Sequence, residues 1–413
     1  MQDYSRIARK ITFILFIAQS LASAGFIASA TISSIIGAKL GGGSAWAGVP
    51  SAVYLLGGAF AASAWGYLMD IFGRRKGIAL GLATGAVGTV IVIISIDNSI
   101  FFGFLVGMLL MGIANAAVVL GRFAAAEVNP PERRGAAISA VVLGGTFGSV
   151  FGPLIVGPSG SLVKTLGMDE LAGAYLVCFG LFALASLIVF FTLTPDPRDV
   201  GREISKLYPE LNPTGEARSI WTILRQPKAF TALMAMVLGQ VVMVAVMVIT
   251  SLHMKDNHHM LTDISTVISA HTFGMYAFSI ISGWLVDKWG RAQVILTGAI
   301  VLILACISAP FSPDVLPLAI SLFLLGLGWN FCFVGGSTLL ADQLSPAERA
   351  RTQGTNDLLV GLASATASLS SGIIFATLGY ALVAALGAAL AVIPVFFSIR
   401  MLWQGSRKSS LQA

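Results

Sequence analysis

GYLMDIFGRRK at Gly66–Lys76 and SGWLVDKWGRA at Ser282–Ala292 are two copies of one pattern, with Asp70, Gly73 and Arg74 standing 217 positions before Asp287, Gly290 and Arg291. Each copy closes an apolar stretch that ends near Met69 or Val286, so a glycine, an aspartate and a basic turn fall where a helix would leave hydrocarbon. The chain therefore reads as two repeats of one membrane-embedded unit, and the placement of the pattern at the exit of a span suits a gating element.

Composition agrees with that placement. Of 413 residues, 56% are hydrophobic and 11% charged, and the mean hydropathy is +0.87, outside the range of soluble domains. A bilayer core of about 30 Å takes about 20 apolar residues per helix. Such stretches fill nearly the whole chain, which predicts an all-α integral membrane protein with twelve spans near 11–35, 46–68, 78–96, 100–121, 136–158, 171–193, 229–252, 264–286, 292–311, 316–341, 353–376 and 380–402. With the N-terminus inside, the inner segments hold 22 of the 25 Lys and Arg, leaving Lys39, Lys164 and Lys255 outside. That bias predicts cytoplasmic N- and C-termini in a plasma (cell inner) membrane.

The net charge of +6 thus describes topology, and no basic groove or aromatic platform points to nucleic acid. The apolar run after MQDYSRIARK is longer than a signal-peptide core, so a retained first helix is expected despite the Ala22-Ser23-Ala24 and Ala28-Ser29-Ala30 sites. Cys178, Cys306 and Cys332 fall in apolar spans without metal-like spacing and read as small core residues. No cofactor is implied.

Two six-span bundles are expected, at 1–193 and 229–413, joined by a cytoplasmic linker at 194–228 containing Pro195, Pro197, Pro209, Pro213 and Pro227. Trp221, Ile223 and Leu224 beside Arg218, Arg225 and Lys228 suit a short amphipathic helix on the membrane face. The repeat extends further: AEVNPPERR from Ala126 matches ADQLSPAER from Ala341, and Asn115 and Asn330 each precede Glu127 or Asp342 by twelve residues. Parallel repeats with a site at their interface are one known transporter architecture.

At this point the chain resembles the major facilitator superfamily along essentially its entire length, through six plus six spans, a central loop and G-x-x-x-D-x-x-G-R-[RK] after spans 2 and 8. The resemblance implies that family's two pseudo-symmetric six-helix bundles and transport by alternating access. It also implies that Asp70 docks on the N-terminal end of helix 11 to lock the outward-open state, that Gly66 permits close helix approach, that Gly73 makes the turn and that Arg74 offers a partner charge. A carboxylate at a helix N-terminus gains about 0.3 to 1 kcal/mol. Glu127 joins Asp70 and Arg74, and Asp342 joins Asp287 and Arg291, as two expected charge clusters. Gly144, Gly148 and Gly152 before Pro153 resemble the helix 5 signature of the drug:proton antiporter branch, though small residues at this spacing also serve plain packing. Met108 stands where proton-coupled relatives carry an arginine, and Arg122 is expected in the inner salt-bridge ring.

In such a fold spans 1, 4, 7 and 10 line the path. The mid-membrane stretches of spans 1, 2, 4, 5, 7 and 10 contain no Asp, Glu, Lys, Arg or His, which argues against a strongly charged substrate. The candidate substrate contacts are Gln19, Tyr54, Asn115, Gln240, Trp329, Asn330 and Phe333, a lining suited to neutral or amphipathic organic molecules. His271 and Asp357, with Asp70, are candidate proton carriers. For His271 the alternative is a satisfied polar residue, and for Asp357 a complement to the helix dipole. His253, His258 and His259 near Asp256 and Asp263 read as a wet outer loop, and no metal site is assigned. These features point to a monomeric secondary transporter that exports a small molecule, with proton antiport as one mode of coupling. Uptake or facilitated diffusion of a metabolite is the alternative within transport, and a substrate-sensing receptor the alternative outside it. No nucleophile–base constellation supports an enzyme.

Overall fold

Gly73 and Gly290 each hold a left-handed backbone (φ 96° and 102°) between two long helices. Such φ values at extended ψ are reached at low cost only by glycine. Gly73 N–H still bonds the Met69 carbonyl at 3.1 Å and its own carbonyl receives Gly77 N–H at 3.2 Å; Gly290 repeats this with Val286 and Val294 at 3.2 and 3.3 Å. One residue thus ends one helix and starts the next.

The computed structural model describes residues 2–130, 133–207 and 218–410. Pro209 and Pro213 of the expected linker, and Pro131 and Glu132 of the second repeated segment, lie outside them. The helices are α1 (Gln2–Gly41), α2 (Val49–Phe72), α3 (Arg74–Asp97), α4 (Phe101–Val119), α5 (Gly121–Glu127), α6 (Arg134–Phe151), α7 (Val156–Thr165), α8 (Ala172–Thr192), α9 (Pro197–Leu207), α10 (Ile220–Leu224), α11 (Pro227–Asp256), α12 (Leu261–Tyr276), α13 (Ser279–Trp289), α14 (Arg291–Ser308), α15 (Val315–Ala341) and α16 (Pro346–Ser410). Among the described residues eleven stretches are long and apolar enough to cross a bilayer, the last being Arg351–Gln404 with 54 residues. At 1.5 Å per residue that stretch would run about 80 Å, well over two hydrocarbon thicknesses. Gly379, at φ 78°, interrupts it, so the protein is an all-α membrane protein of twelve crossings.

Two compact units are formed, Met1–Asn212 with Met260–Ser265, and Pro213–His259 with Thr266–Ala413. In the first, α1 packs on α6 and α8, and α3 on α4 and α8. Gly144, Gly148 and Gly152 all face the α1 backbone, where an added Cβ would meet the carbonyls of Phe16, Ser20 and Ala24. The ladder therefore brings α6 against α1 at backbone distance. Met108 is buried beside Ser29 and Tyr175, whose hydroxyls lie 3.8 and 3.7 Å from its sulfur. In the second unit α11 packs on α15 and α16, and α14 on α15, around Ala232, Met236, Ile295 and Leu339. All three cysteines are buried.

Some expectations need correction. The span expected at 264–286 is broken at Ala277 and Phe278 into α12 and α13, with no proline there and Gly274 one turn earlier; its counterpart α2 is continuous. Among the described residues of its own unit, no atom lies within 4 Å of a Cβ placed on Gly66 or Gly283, so no helix of that unit makes the close approach expected at Gly66. Asn115 and Asn330 are not counterparts in packing. The Tyr54 carbonyl lies over Gly112 as that of His271 does over Gly326, and the Leu109 carbonyl over Gly57 as that of Phe323 over Gly274. These pairs offset α2 and α12 by 217 residues but α4 and α15 by 214. Asn115 then matches Trp329, and Asn330 matches Ala116. His258 and His259 follow the end of α11 in a turn, with His258 at φ 64°, where the outer loop is expected.

Candidate functional site

Arg74 is the first residue of α3 and its side chain is 17% exposed. One turn earlier along the chain, Asp70 Oδ1 lies 2.9 Å from its Nη2. From the end of α5, Glu127 takes two bonds, Arg74 Nε to Oε2 at 3.1 Å and Nη2 to Oε1 at 2.7 Å, the fork geometry that makes arginine–carboxylate pairs directional. The second unit holds a looser copy. Arg291 Nε donates to Asp342 Oδ2 at 2.9 Å, its Nη1 lies 3.6 Å from Asp287 Oδ1, and Nη1 also donates to the Val286 carbonyl at 3.2 Å. Aspartate is one methylene shorter than glutamate and engages Arg291 with one oxygen. The structure brings each expected triad together, with Asp70 and Asp287 the most exposed members. Arg122 lies over the Phe123 ring at 4.9 Å.

Sequence reasoning assigned no chemistry to the linker, yet its first end binds the Gly73 turn and its last end binds the loop between α15 and α16. Asp196 accepts the backbone N–H of Arg74 and Arg75 at 3.0 and 3.1 Å, capping α3, and that of Arg198 at 2.9 Å, capping α9. Arg198 Nη1 donates to the Asp70 and Ile71 carbonyls at 3.1 and 2.8 Å, closing the end of α2. The signal was present in Asp196-Pro197, an N-cap followed by proline in the first turn.

In the second unit Glu348 is buried. It accepts Arg218 N–H, Nε and Nη2 at 3.0, 2.7 and 2.8 Å, and Ser345 N–H at 2.9 Å. Ser345-Pro346-Ala347-Glu348 is the S-x-x-E capping box, a local signal distinct from the match between the repeats on which the sequence reading relied. Arg218 hydrogen bonds hold the Glu348 carboxylate well below its ordinary range. A carboxyl depressed in the folded state stabilises above its unfolded pKa and loses that contribution as pH falls. The unfolding midpoints of wild type and Glu348→Gln should therefore differ by a constant amount above about pH 5.5 and draw together progressively as pH falls from about 4.5 toward the far lower folded-state value. Thermal melts across pH check this, and a gap that widens in acid would contradict it.

Among the remaining candidates, Trp329 Nε1 donates to Gln240 Oε1 at 2.6 Å and its ring stacks on Phe333 with centroids 5.1 Å apart; Tyr276 meets its edge at 6.2 Å. This gives a patch of aromatic faces and one amide on α11, α12 and α15, in which Trp329 is buried and Gln240, Tyr276 and Phe333 are half-buried. In the first unit Gln19 Nε2 donates to Ser23 Oγ at 3.0 Å, and Tyr54 lies 6.0 Å from Phe26 between ring centroids. Asn330 is spent internally. Its Nδ2 donates to the Met275 carbonyl at 2.6 Å and to Ser279 Oγ at 3.0 Å, and its Oδ1 accepts from Ser282 Oγ. It thereby satisfies the carbonyl freed by the break between α12 and α13, an inserted side chain being a recognised cause of such kinks. Asn115 is half-buried and makes no hydrogen bond among the described residues. Asn330→Ala should cost about 2 kcal/mol or more, since it leaves buried polar groups unpaired, whereas Asn115→Ala should stay within about 0.5 kcal/mol. Melts of the two purified variants decide it.

His271 is fully buried, with Nδ1 2.9 Å from the Leu322 carbonyl and Nε2 without a partner among the described residues. A carbonyl only accepts, so Nδ1 carries the hydrogen and Nε2 of the neutral ring presents a lone pair. Asp357 is exposed, 3.4 Å from the Asn356 amide nitrogen. It lies three turns into α16, whose first-turn acid is Glu348, so the expected helix-dipole role belongs to Glu348.

The family model described as Major Facilitator Superfamily matches residues 15–261 and 231–412. The chain is 33% identical over 388 residues to "Uncharacterized MFS-type transporter YdeG" of Bacillus subtilis, covering 93% of this chain and 90% of that one. It is 28% identical to "Riboflavin transporter RfnT" of Brucella anthropi (90% and 91% covered) and 24% identical to "Multidrug resistance protein MdtG" of Escherichia coli (81% and 79%). Among solved structures, a POT family transporter in complex with a thioalcohol-conjugated peptide superposes with a TM-score of 0.70 at 14% identity, over 96% of each chain. That likeness speaks to the fold alone.

Proposed function

The chain belongs to the Major Facilitator Superfamily, and from that premise we propose that it is a secondary active transporter that exports a neutral or amphipathic small molecule with a flat ring system. The observation that carries the reading is the uncharged patch of Gln240, Tyr276, Trp329 and Phe333, whose ring faces and single amide suit stacking plus one polar contact. Export is supported by the similarity to a protein named for multidrug resistance. Movement of a flavin-like metabolite is a second reading, favoured by the higher identity to a relative named as a riboflavin transporter, riboflavin being itself a flat uncharged heterocycle. The charge triads act as the gate, at a face we assign to the cytoplasm. His271, with its buried basic nitrogen, carries the coupled proton ahead of Asp70 and Asp357. The test is flux of candidate ring compounds into and out of liposomes under an imposed pH gradient. Wild type should respond to the gradient and His271→Gln should not; Trp329→Ala should lower flux about tenfold or more if a stacking contact is lost in transit. Flux unchanged by Trp329→Ala would remove the patch from the path, and flux indifferent to pH would remove the proton.

A further inference from the structure

The second unit contains a cavity of about 1070 Å³ that adjoins the Arg291–Asp342 pair and carries basic residues the transport reading does not use. Its wall carries Arg225, Lys228, Arg291 and Arg400 together with Phe230 and Phe397. Arg291 is paired with Asp342, the one carboxylate on the wall. Arg225, Lys228 and Arg400 have no acidic partner among the described residues. Two long helices, α11 and α14, begin at this wall, adding the partial positive charge of their N-termini. An unneutralised group of cations beside aromatic rings calls for an anion that also carries an apolar body. The level of the cavity identifies the source. Trp221, four residues before Arg225, and Trp403, three after Arg400, are both 71% exposed, and exposed tryptophans of this kind mark the boundary between hydrocarbon and headgroups. Basic pockets between membrane helices at that depth suit anionic headgroups.

We propose that this cavity binds an acidic phospholipid, with the headgroup phosphate held by Arg225, Lys228 and Arg400 and the upper acyl chain laid against Phe230 and Phe397. The test is native mass spectrometry of the detergent-purified full chain titrated with dioleoyl phosphatidylglycerol, dioleoyl phosphatidylcholine and sn-glycerol 3-phosphate. Phosphatidylglycerol should bind about tenfold or more tighter than phosphatidylcholine. Arg225→Gln/Lys228→Gln/Arg400→Gln should lose that preference. Arg225→Lys/Arg400→Lys should keep it, which separates charge from folding. Arg6→Gln/Lys76→Gln/Lys206→Gln, which removes as much charge elsewhere, should also keep it. Equal binding of the two lipids to wild type would overturn the proposal, as would an equal loss in the Arg6/Lys76/Lys206 variant. Displacement of the lipid by sn-glycerol 3-phosphate at matching concentration would overturn the assignment to a lipid in favour of a soluble anion.

Discussion

Gly73→Ala should be among the most damaging single changes in the protein, and Gly290→Ala should be milder by about 1 to 2 kcal/mol. Both positions hold a backbone that a Cβ strains, at about 1 to 3 kcal/mol. The difference lies in what the methyl would strike. At Gly73 it overlaps the Asp196 carboxylate, and Asp196 cannot swing away without releasing the N–H groups of Arg74, Arg75 and Arg198. At Gly290 it meets the free end of Gln293, 2.6 Å away, an exposed side chain that can rotate out. Thermal unfolding of the two purified variants should separate them clearly. Equal midpoints would mean that the Asp196 cap contributes nothing to the turn.

Arg74→Gln should behave in the opposite sense, with transport lost by about tenfold or more and little change in stability. Its two ion pairs reach partly exposed carboxylates, Asp70 at 67% and Glu127 at 33%, and such pairs contribute about 0 to 1 kcal/mol each. If the triad is a gate, its worth appears in the balance between states, where about 1.4 kcal/mol already shifts populations tenfold. Arg74→Lys should restore only part of the flux, because an ammonium cannot reproduce the two parallel bonds to Glu127. Arg291→Gln should lose less, since its pairs are single and more exposed. Liposome flux and melts on the same preparations test both halves of the statement; wild-type flux in Arg74→Gln would remove the gate assignment.

The fold was legible because its determinants are one-dimensional. Apolar length, basic loops and a repeated glycine turn all write themselves into consecutive residues, and Asp70, Arg74 and Glu127 could be brought together from the repeat. What escaped depends on residues distant in sequence. Asp196 and Arg198 matter through the turn more than a hundred positions earlier. The break after Tyr276 is not marked by a proline, because the group that stabilises it, Asn330, is supplied by α15. The correspondence of Asn115 with Asn330 misled for a related reason: counting back from the loop is valid only while both helices keep the same phase.

That loss of phase has a practical consequence. From Gly112 to Glu127 the first unit uses fifteen residues, with an interruption at Leu120, while from Gly326 to Asp342 the second uses sixteen in one continuous helix. One added residue turns everything beyond it by about 100°. A chimera built by exchanging helices between the halves would keep its inner faces aligned only if the cut precedes Leu120; cut later, it would present the wrong side of the helix to the bundle while looking correct on paper.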